Sequence, residues 1–504
     1  MHRREFLKRG AGVAGLGLLP APAFASFGDA PDVASIGQLL GPGDRAERCL
    51  EVYLYGGIAS FESFYVAEDN GRPDDPDPAL RKTQWYLFNE EHQQVFGNDC
   101  NLGDDPSTWL TELGVDSAGK TIKIGPMAQA LATRTDILDR TRVVVLRHDF
   151  EPHESAVPQA MCGLRLGNPR MAGFGAHVQR YWQERDATGR VVPFSFVFTP
   201  SQATAQFNTQ TAMSVGMHPG SARPLNIKAS DNMNLSELLG RELIGADADR
   251  VNALMQRYAS SGAGRYVDST GAPLRSRAVA EHQFAIDALA NAPALQSVLP
   301  PTMFVVENGR VCGVTRTGTS AMVLDASIDL LTNPVTPAKY VSCVDGGSEF
   351  YGDLPYDTHS AHLSIVSKNM STLFKRLAAR INEPGEGDPT KLDLDDTLII
   401  ITAEFGRTPY AQFEGANGTN HHPHGYVSVL IGGPVQKGVT GSIGPDGYGE
   451  DYVTPAEFRA GALAALGIYP FAADSFAVGD LPNSGAPNEL DSLVWLNEHI
   501  LGRV

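Results

Sequence analysis

The amino-acid sequence predicts an α/β fold: a three-layer sandwich with a mainly parallel central sheet and a helical insertion. Two observations favour this class. Several short apolar runs lack the alternation of half-exposed strands, which is typical of strands covered on both faces. Amphipathic helical patterns lie between these runs, and strands that alternate with helices predict a layered, mainly parallel sheet.

The individual elements follow from these patterns. The predicted strands are CLEVYLY (49–55), RVVVLR (142–147), FSFVF (194–198), YVSCV (340–344), TLIIIT (397–402) and YVSVLI (426–431). A helix is predicted over 361–381, where large apolar residues recur at steps of three and four. A second helix is predicted over 455–466, because a Pro opens this segment and Gly467 ends it.

The first 25 residues are predicted to be a twin-arginine signal peptide. The pattern RREFLK is followed by a weakly apolar stretch, and Ala23 and Ala25 supply the small side chains that a signal peptidase requires. The alternative, an amphipathic N-terminal helix, is disfavoured because the stretch is rich in Gly and Pro. We therefore expect the twin-arginine translocase to export the protein to the periplasm or beyond the cell.

The remaining residues, 26–504, are expected to form one α/β domain with two interruptions. Residues 66–125 are rich in turn-forming residues and predict a surface excursion. Within it, DDPDP lacks the spacing of a calcium loop and is interpreted as a solvated acidic turn. Residues 230–292 are rich in helix formers and predict the helical insertion.

Composition disfavours several classes of protein. The formal net charge is −18, and removal of the signal peptide, whose own charge is +3, leaves −21, so binding to nucleic acid through the overall field is not expected. No later segment approaches the roughly 20 apolar residues that a membrane span needs. The five cysteines contain no CxxC pair, which disfavours a cysteine metal site and allows at most two disulfides.

Polar residues collect in the loops at the predicted strand ends, where an open parallel sheet binds its ligands. These loops hold seven of the 13 histidines and many carboxylates. Their sequences are GGIASFESF, HDFEPHESA, DGGSEFYGDLPYDTHSAH and AEFGRT after four strands, and NHHPH before the last strand. If these strands are parallel, the loops meet at one edge and form a candidate metal site.

Three of these loops supply the strongest candidates. Asp357 and His359 lie two residues apart, so in an extended segment both face one way and suit Zn²⁺ or a similar ion; a capping Asp beside surface histidines is the alternative. Glu404 follows a buried strand and needs a partner, which is either a metal ion or the nearby Arg407. The loop NHHPH can place one or two imidazoles over the sheet edge, with at least one left on the surface.

The motifs RREFLK, GGIASFESF, YDTHSAH, TLIIITAEFGRTP and NHHPHGYVSVLIGGPVQKGVTG, in this order, resemble the bacterial family called domain of unknown function 1501. The resemblance covers most of the mature chain and is strongest over 340–470. That family is exported by the twin-arginine route and is placed in the alkaline phosphatase and sulfatase superfamily. The resemblance therefore implies an alkaline-phosphatase-like sheet, and it defines the fold better than the activity.

The superfamily pattern implies a hydrolase with two metal ions. For the first ion, Asp357 and His359 match two ligands. His422 matches the third because it lies twelve residues before Pro434, a spacing similar to that in alkaline phosphatases. His421 is retained as a further candidate ligand, whereas His424 is interpreted as a surface residue.

The residues of this chain match the expected ligands of the second metal ion less well. Glu404 stands for the expected Asp, but Phe405 replaces the expected His. The acid expected directly after the first strand is absent, and Glu62 is the nearest candidate. Ser155 lies in the nucleophile region, and His153 beside it is a candidate base or ligand.

The resemblance also implies a mechanism. A divalent metal, Zn²⁺ first and Mn²⁺, Mg²⁺ or Ca²⁺ as alternatives, would polarise the ester oxygen and lower the pKa of a bound water or of the Ser155 hydroxyl. Arg407 or backbone N–H groups would stabilise charge on the transferred phosphoryl or sulfuryl group. Two functions are carried forward: hydrolysis of a small-molecule or polymeric phosphate or sulfate ester, and a non-catalytic envelope protein that binds a partner and keeps at most one metal site.

Overall fold

The computed structural model describes residues 44–67, 92–185, 195–200, 224–226, 250, 253–254, 257, 309–311, 314–316, 319–334, 337–346, 356–359, 362–410, 412, 418–472 and 475–503. The predicted signal peptide, 1–25, lies outside these residues. The predicted helical insertion, 230–292, also lies outside them, apart from four helical residues between 250 and 257. Among the described residues, no helix combines the length and apolar character needed to cross a membrane.

The elements are given in chain order. The strands are β1 (Arg48–Leu54), β2 (Thr111–Val115), β3 (Thr121–Ile124), β4 (Thr141–Leu146), β5 (Val197–Pro200), β6 (Leu225–Asn226), β7 (Gly309–Val311), β8 (Val314–Arg316), β9 (Tyr340–Asp345), β10 (Thr397–Thr402), β11 (Gly406–Arg407), β12 (His421–His422), β13 (Tyr426–Gly432), β14 (Gly438–Thr440), β15 (Ser442–Ile443) and β16 (Gly449–Asp451). The α-helices are α1 (Gln129–Ala132), α2 (Thr135–Leu138), α3 (His153–Cys162), α4 (Phe174–Arg185), α5 (Thr319–Thr332), α6 (His362–Ala379), α7 (Pro455–Ala465) and α8 (Glu489–Trp495). The predicted strands correspond to β1, β4, β5, β9, β10 and β13, with the largest displacement at β5, and the predicted helices correspond to α6 and α7.

Eight strands form the central sheet in the order β14-β4-β13-β10-β1-β9-β5-β6. The strands from β10 to β6 run parallel to one another, and β14 runs parallel to β4. Strand β13 runs antiparallel to both of its neighbours, β10 and β4. The α/β class is confirmed, but the sheet is mixed and the prediction of a mainly parallel sheet is wrong.

The reversed strand β13 decides which loops meet. Its first residue, Tyr426, pairs with Leu146, the last residue of β4. The loop that precedes β13 therefore lies at the same sheet edge as the loops that follow β1, β4 and β10. In a parallel sheet the ligand-binding loops follow the carboxyl ends of the strands, whereas the NHHPH loop precedes its strand. A parallel β13 would therefore have placed this loop at the opposite edge of the sheet.

The sheet is covered on both faces, which explains the continuous apolar runs. Every residue of β9, β10 and β13 is buried, as is β1 after its first residue. Helices α5 and α6 pack together, with α5 also against β1 and β9, while α7 packs against α3 and α4. Helix α7 begins with a capping box, in which Thr454 and Glu457 satisfy each other's backbone N–H groups.

A buried ion pair lies within this core. Arg459 of α7 donates two hydrogen bonds of 2.7 Å to the carboxylate of Glu51 on β1, and both side chains are 1% exposed. The hydroxyl of Tyr340 on β9 donates a third hydrogen bond, of 2.5 Å, to the same carboxylate. The bidentate geometry compensates the cost of removing the two charges from water.

The described parts of the predicted surface excursion are 66–67 and 92–125. The second part forms the β2–β3 hairpin and buries Phe96 and Trp109 in the main core. Cys100 in this segment is disulfide-bonded, whereas Cys49, Cys162 and Cys343 are buried and form no disulfide. The described part of this segment therefore contributes buried side chains to the core and exposed ones to the surface.

Candidate metal centre

Asp357 lies at the centre of a cluster formed by the loops at one sheet edge. Three imidazoles direct the same ring nitrogen, Nε2, towards its carboxylate. Nε2 of His153 is 3.1 Å from Oδ2, Nε2 of His421 is 2.9 Å from Oδ1, and Nε2 of His359 is 3.1 Å from Oδ1. The structure thus brings together four residues that the sequence predicted for the site.

Each imidazole is held in place through its other nitrogen, Nδ1. These contacts are His153 to Oε1 of Glu404 at 2.8 Å, His421 to the carbonyl oxygen of Glu151 at 3.0 Å, and His359 to Oε1 of Gln412 at 3.1 Å. All three acceptors are oxygens, so each Nδ1 donates a proton to its partner. This arrangement fixes the ring orientation and leaves Nε2 to face Asp357.

Glu404 supports the cluster through hydrogen bonds to its carboxylate. Its Oε1 accepts hydrogen bonds from His153 and from the backbone N–H of Gly56, the latter at 2.8 Å. Its Oε2 is buried and has no hydrogen-bond partner among the described residues. Gly56 must be glycine, because its φ is +110° and a Cβ would lie 2.2 Å from the backbone nitrogen of Asp357.

Arg407 fixes Asp357 and has no free donor. Nη1 donates to Oδ1 of Asp357 at 2.8 Å and to the carbonyl oxygen of Gly56 at 3.1 Å. Nη2 donates to the carbonyl oxygens of Thr358 and Thr419, and Nε donates to the Thr419 hydroxyl at 3.1 Å. Since a guanidinium has five N–H donors, Arg407 has none left for a substrate and acts as a positioning residue. The sequence offered it either as the partner of Glu404 or as a stabiliser of transferred charge, and the structure pairs it with Asp357.

The charges of the cluster shift two pKa values in opposite directions. Burial lowers the pKa of His153, but its hydrogen bonds with Asp357 and Glu404 outweigh burial and raise the pKa to about 10. Burial raises the pKa of Asp357, but hydrogen bonds from His153 and His421 and the charge of Arg407 hold it well below its usual range. Without a metal ion, His153 is therefore an imidazolium between two carboxylates at neutral pH.

His421 and His422 are adjacent in the sequence, but their side chains make different contacts. Strand β12 pairs with β11, with His421 opposite Arg407 and His422 opposite Gly406. Because successive side chains of a strand face opposite sides, only His421 points to Asp357. Nε2 of His422 is instead 2.7 Å from the carbonyl oxygen of Gly447, in a buried environment. The structure therefore places His421, and not the preferred candidate His422, in the cluster.

Two other predicted site residues make no hydrogen bond or ion pair with Asp357. Ser155 is in the first turn of α3, and its hydroxyl makes no hydrogen bond to the cluster residues that the structure describes. Glu62 lies in a short helical turn, Ser60–Glu62, and its carboxylate faces His362 at 3.8 Å. Among the described residues, Glu62 belongs to no group of three ligand atoms that lie within 4.8 Å of one another.

Aromatic side chains line the cluster. The ring of Phe405 stacks on His421 with a centroid distance of 4.3 Å, and the ring of Tyr55 stacks on His153 at 5.3 Å. Phe405 is fully buried at the position where the superfamily pattern expects a ligating His. This apolar ring offers no ligand atom to a metal ion.

The cluster fits a transition-metal ion. One ligand atom each from His153, Asp357 and His421 lie within 4.8 Å of one another, and no other group of three such residues in the described part of the chain meets this limit. Imidazole and carboxylate together suit Zn²⁺ or Mn²⁺ better than Mg²⁺ or Ca²⁺, which prefer oxygen ligands alone. The Nδ1 contacts match the outer partners that orient metal-bound histidines.

Two supporting residues had not been singled out from the sequence. Gln412 holds His359, and nothing in its local pattern indicated this contact. His148 donates from Nε2 to the carbonyl oxygen of Glu404 at 2.7 Å and accepts the N–H of Phe150 at Nδ1, because burial lowers its pKa to about 4 and keeps it neutral. Its place in the histidine-rich loop after β4 was the available signal.

Residues 346–473 match a family model described as "Protein of unknown function (DUF1501)". The matched span contains the segments that supply Asp357, Glu404 and His421 to the cluster. The resemblance to this family is therefore confirmed over that span. The chain has no significant match among curated proteins.

Proposed function

We propose that the protein is an exported, metal-dependent hydrolase of the alkaline phosphatase superfamily that acts on a phosphate or sulfate ester. Its metal ion, Zn²⁺ or Mn²⁺, is held by His153, Asp357 and His421. The convergence of three Nε2 atoms on one carboxylate supports this proposal most strongly. Side-chain exposures of 13% for His153, 19% for His421 and 35% for His359 leave the site open to a ligand. The RREFLK pattern supports export by the twin-arginine translocase to the periplasm or the medium.

His153, Asp357 and His421 would hold the metal ion, which would polarise the ester oxygen and lower the pKa of a water molecule. Arg407 and Glu404 keep Asp357 and His153 in position. Phe405 and Tyr55 exclude water from the inner side of the site. His359, the most exposed imidazole, is held by Gln412 through Nδ1 and directs Nε2 towards Asp357 at the open side of the site. Water is favoured over Ser155 as the nucleophile, because the Ser155 hydroxyl makes no hydrogen bond to the described residues of the cluster.

A non-catalytic envelope protein with one metal site in this cluster is the second candidate. Two observations favour it: Arg407 has no free donor for a transferred group, and Phe405 replaces a ligand of a second ion. The two candidates differ in turnover. Zn²⁺- or Mn²⁺-loaded protein that hydrolyses p-nitrophenyl phosphate, bis(p-nitrophenyl) phosphate or p-nitrophenyl sulfate, and that loses this activity on chelation, supports the hydrolase. Metal binding without turnover of any ester supports the second candidate.

Replacing His421, but not His422, is expected to remove the metal ion. His421→Gln should weaken the tightest Zn²⁺ site by more than about 100-fold, because even an outer partner of a ligand is worth 10–100-fold. His422→Gln should leave that affinity almost unchanged, since His422 contacts Gly447. Titration calorimetry of both variants, with circular dichroism to confirm folding, checks this. The opposite ranking would restore His422 as the ligand and contradict the proposed metal set.

Metal affinity is expected to rise with pH. His153 holds a proton up to a pKa of about 10 in the metal-free protein, and a metal ion must displace this proton to use Nε2. Mn²⁺ affinity should therefore increase by up to about tenfold per pH unit between pH 6 and 8. Calorimetry in buffers of different ionisation enthalpy should show about one proton released for each ion bound. Affinity that is independent of pH would exclude His153 as a ligand.

A further inference from the structure

A second pair of buried polar side chains lies beside the candidate metal centre. Glu62 is 7% exposed and His362 is 4% exposed. Oε1 of Glu62 and Nε2 of His362 are 3.8 Å apart, which is too long for a hydrogen bond. Nε2 of His362 has no hydrogen-bond partner among the described residues. Two buried polar groups thus face each other across a gap, an arrangement that costs free energy unless a further group binds both.

The ring of His362 is fixed from its other side. Nδ1 lies 3.0 Å from the hydroxyl of Thr358 and 3.1 Å from the hydroxyl of Thr419. The Thr419 hydroxyl also accepts a hydrogen bond from Nε of Arg407. With a proton on Nδ1 donated to a threonine oxygen, Nε2 directs a lone pair towards Glu62. Metal-bound histidines are commonly oriented in this way by their second nitrogen.

A third imidazole, His92, lies near this pair. It is 2% exposed, and burial lowers its pKa to about 4, with the charge of Glu62 opposing the shift and that of His362 adding to it. A neutral imidazole is the form that binds metal ions. His92 does not form a three-ligand group with Glu62 and His362 at the 4.8 Å limit met at Asp357.

We infer that Glu62 and His362 bind a second divalent transition-metal ion, separate from the ion at Asp357. Ligand atoms about 2.0–2.2 Å from Zn²⁺ can lie as far as about 4 Å apart, so the 3.8 Å gap accommodates an ion. Water molecules complete the coordination. With two protein ligands in place, this site is weaker than the one at Asp357. The path from His362 through Thr419 and Arg407 to Asp357 connects the two sites.

The inference is tested in an Asp357→Asn background, which removes the first site and isolates the second. Zn²⁺ alone is the ligand, and binding is measured by calorimetry and by metal content after gel filtration. One equivalent bound by Asp357→Asn, weakened about tenfold or more by the added Glu62→Gln, is the expected result. His362→Gln in the same background should have the same effect. His499→Gln, at an exposed histidine, is the matched control and should change nothing.

The outcomes separate the two sites. If Asp357→Asn binds no Zn²⁺ while the unaltered protein binds one equivalent, the second site does not exist and the first stands. If Zn²⁺ stays bound after Glu62→Gln and His362→Gln, the inferred ligands are wrong. If Asp357→Asn leaves total binding unchanged and Glu62→Gln removes it, the second site stands and the metal centre of the proposed hydrolase fails. Thermal unfolding with and without Zn²⁺ identifies any variant that does not fold. If either Glu62→Gln or His362→Gln fails to fold, the remaining one of these two variants decides the result.

Discussion

Asp357→Asn is expected to abolish binding of the metal ion at the candidate centre and any ester hydrolysis that depends on it. The carboxylate is the common partner of His153, His359, His421 and Arg407, so the amide removes a ligand and the charge that balances them. Affinity for the most tightly bound Zn²⁺ ion should fall by more than about 100-fold. Loss of a residue that only hydrogen-bonds to a metal ligand costs about 10–100-fold, and loss of the ligand itself should cost more. Calorimetry and hydrolysis of p-nitrophenyl esters measure the two effects on the same samples.

The same substitution, Asp357→Asn, is also expected to lower the pKa of His153. With Asp357 neutral, the pKa of His153 should fall from about 10 towards its ordinary value, because one of its two carboxylate partners is lost. NMR titration of the imidazole resonances follows this change without any metal ion. Asp149→Asn is the matched control, since Asp149 lies on the same loop as His153 but is 72% exposed. Equal losses in both variants would mean that overall charge, and not ligation by Asp357, governs binding.

Arg459→Leu is expected to destabilise the fold by about 3–5 kcal/mol, because it leaves the charge of Glu51 buried without its partner. Both side chains are 1% exposed, so solvent cannot replace the lost contact. Chemical denaturation of the folded protein measures the free energy of unfolding. Glu51→Leu combined with Arg459→Leu should recover part of the loss, because no unpaired charge remains.

A surface ion pair is the control for this effect. Arg503 and Asp44 are paired at 3.2 Å, with side-chain exposures of 22% and 57%. Arg503→Leu should cost no more than about 1 kcal/mol, because water and salt screen exposed pairs. Similar losses for Arg459→Leu and Arg503→Leu would show that the Glu51 charge is solvated or neutralised, in contrast to the buried pair described above.

Much of the fold could be predicted because it depends on local patterns. The runs that form β1, β10 and β13 are continuous and apolar since both faces of the sheet are covered, and helix α6 shows its buried stripe at steps of three and four. The direction of β13 could not be predicted in this way. A buried strand has the same apolar composition whether it runs parallel or antiparallel to its neighbours.

The candidate site was partly predictable for a related reason. Asp357, His359, Glu404 and the histidine loop could be selected because polar residues at strand ends are unusual next to a buried sheet. The choice between His421 and His422 could not be made from spacing, because their side chains alternate across the short β12 strand, which forms only when β11 is beside it. The pairing of Arg407 with Asp357, which are 50 residues apart in the chain, likewise depends on how the loops meet.

The sequence by itself determined which residue types are available for chemistry, where the buried strands and helices lie, and that the polar loops cluster at strand ends. Only the tertiary structure decided the direction of β13, the selection of His421, the full use of Arg407 as a positioning residue and the placement of Glu62 opposite His362. The physical reason is that a buried strand or helix requires apolar residues at regular positions within its own short segment. The partner of each buried charge or imidazole is chosen by strand direction and side-chain alternation, and these become defined only when distant segments pair.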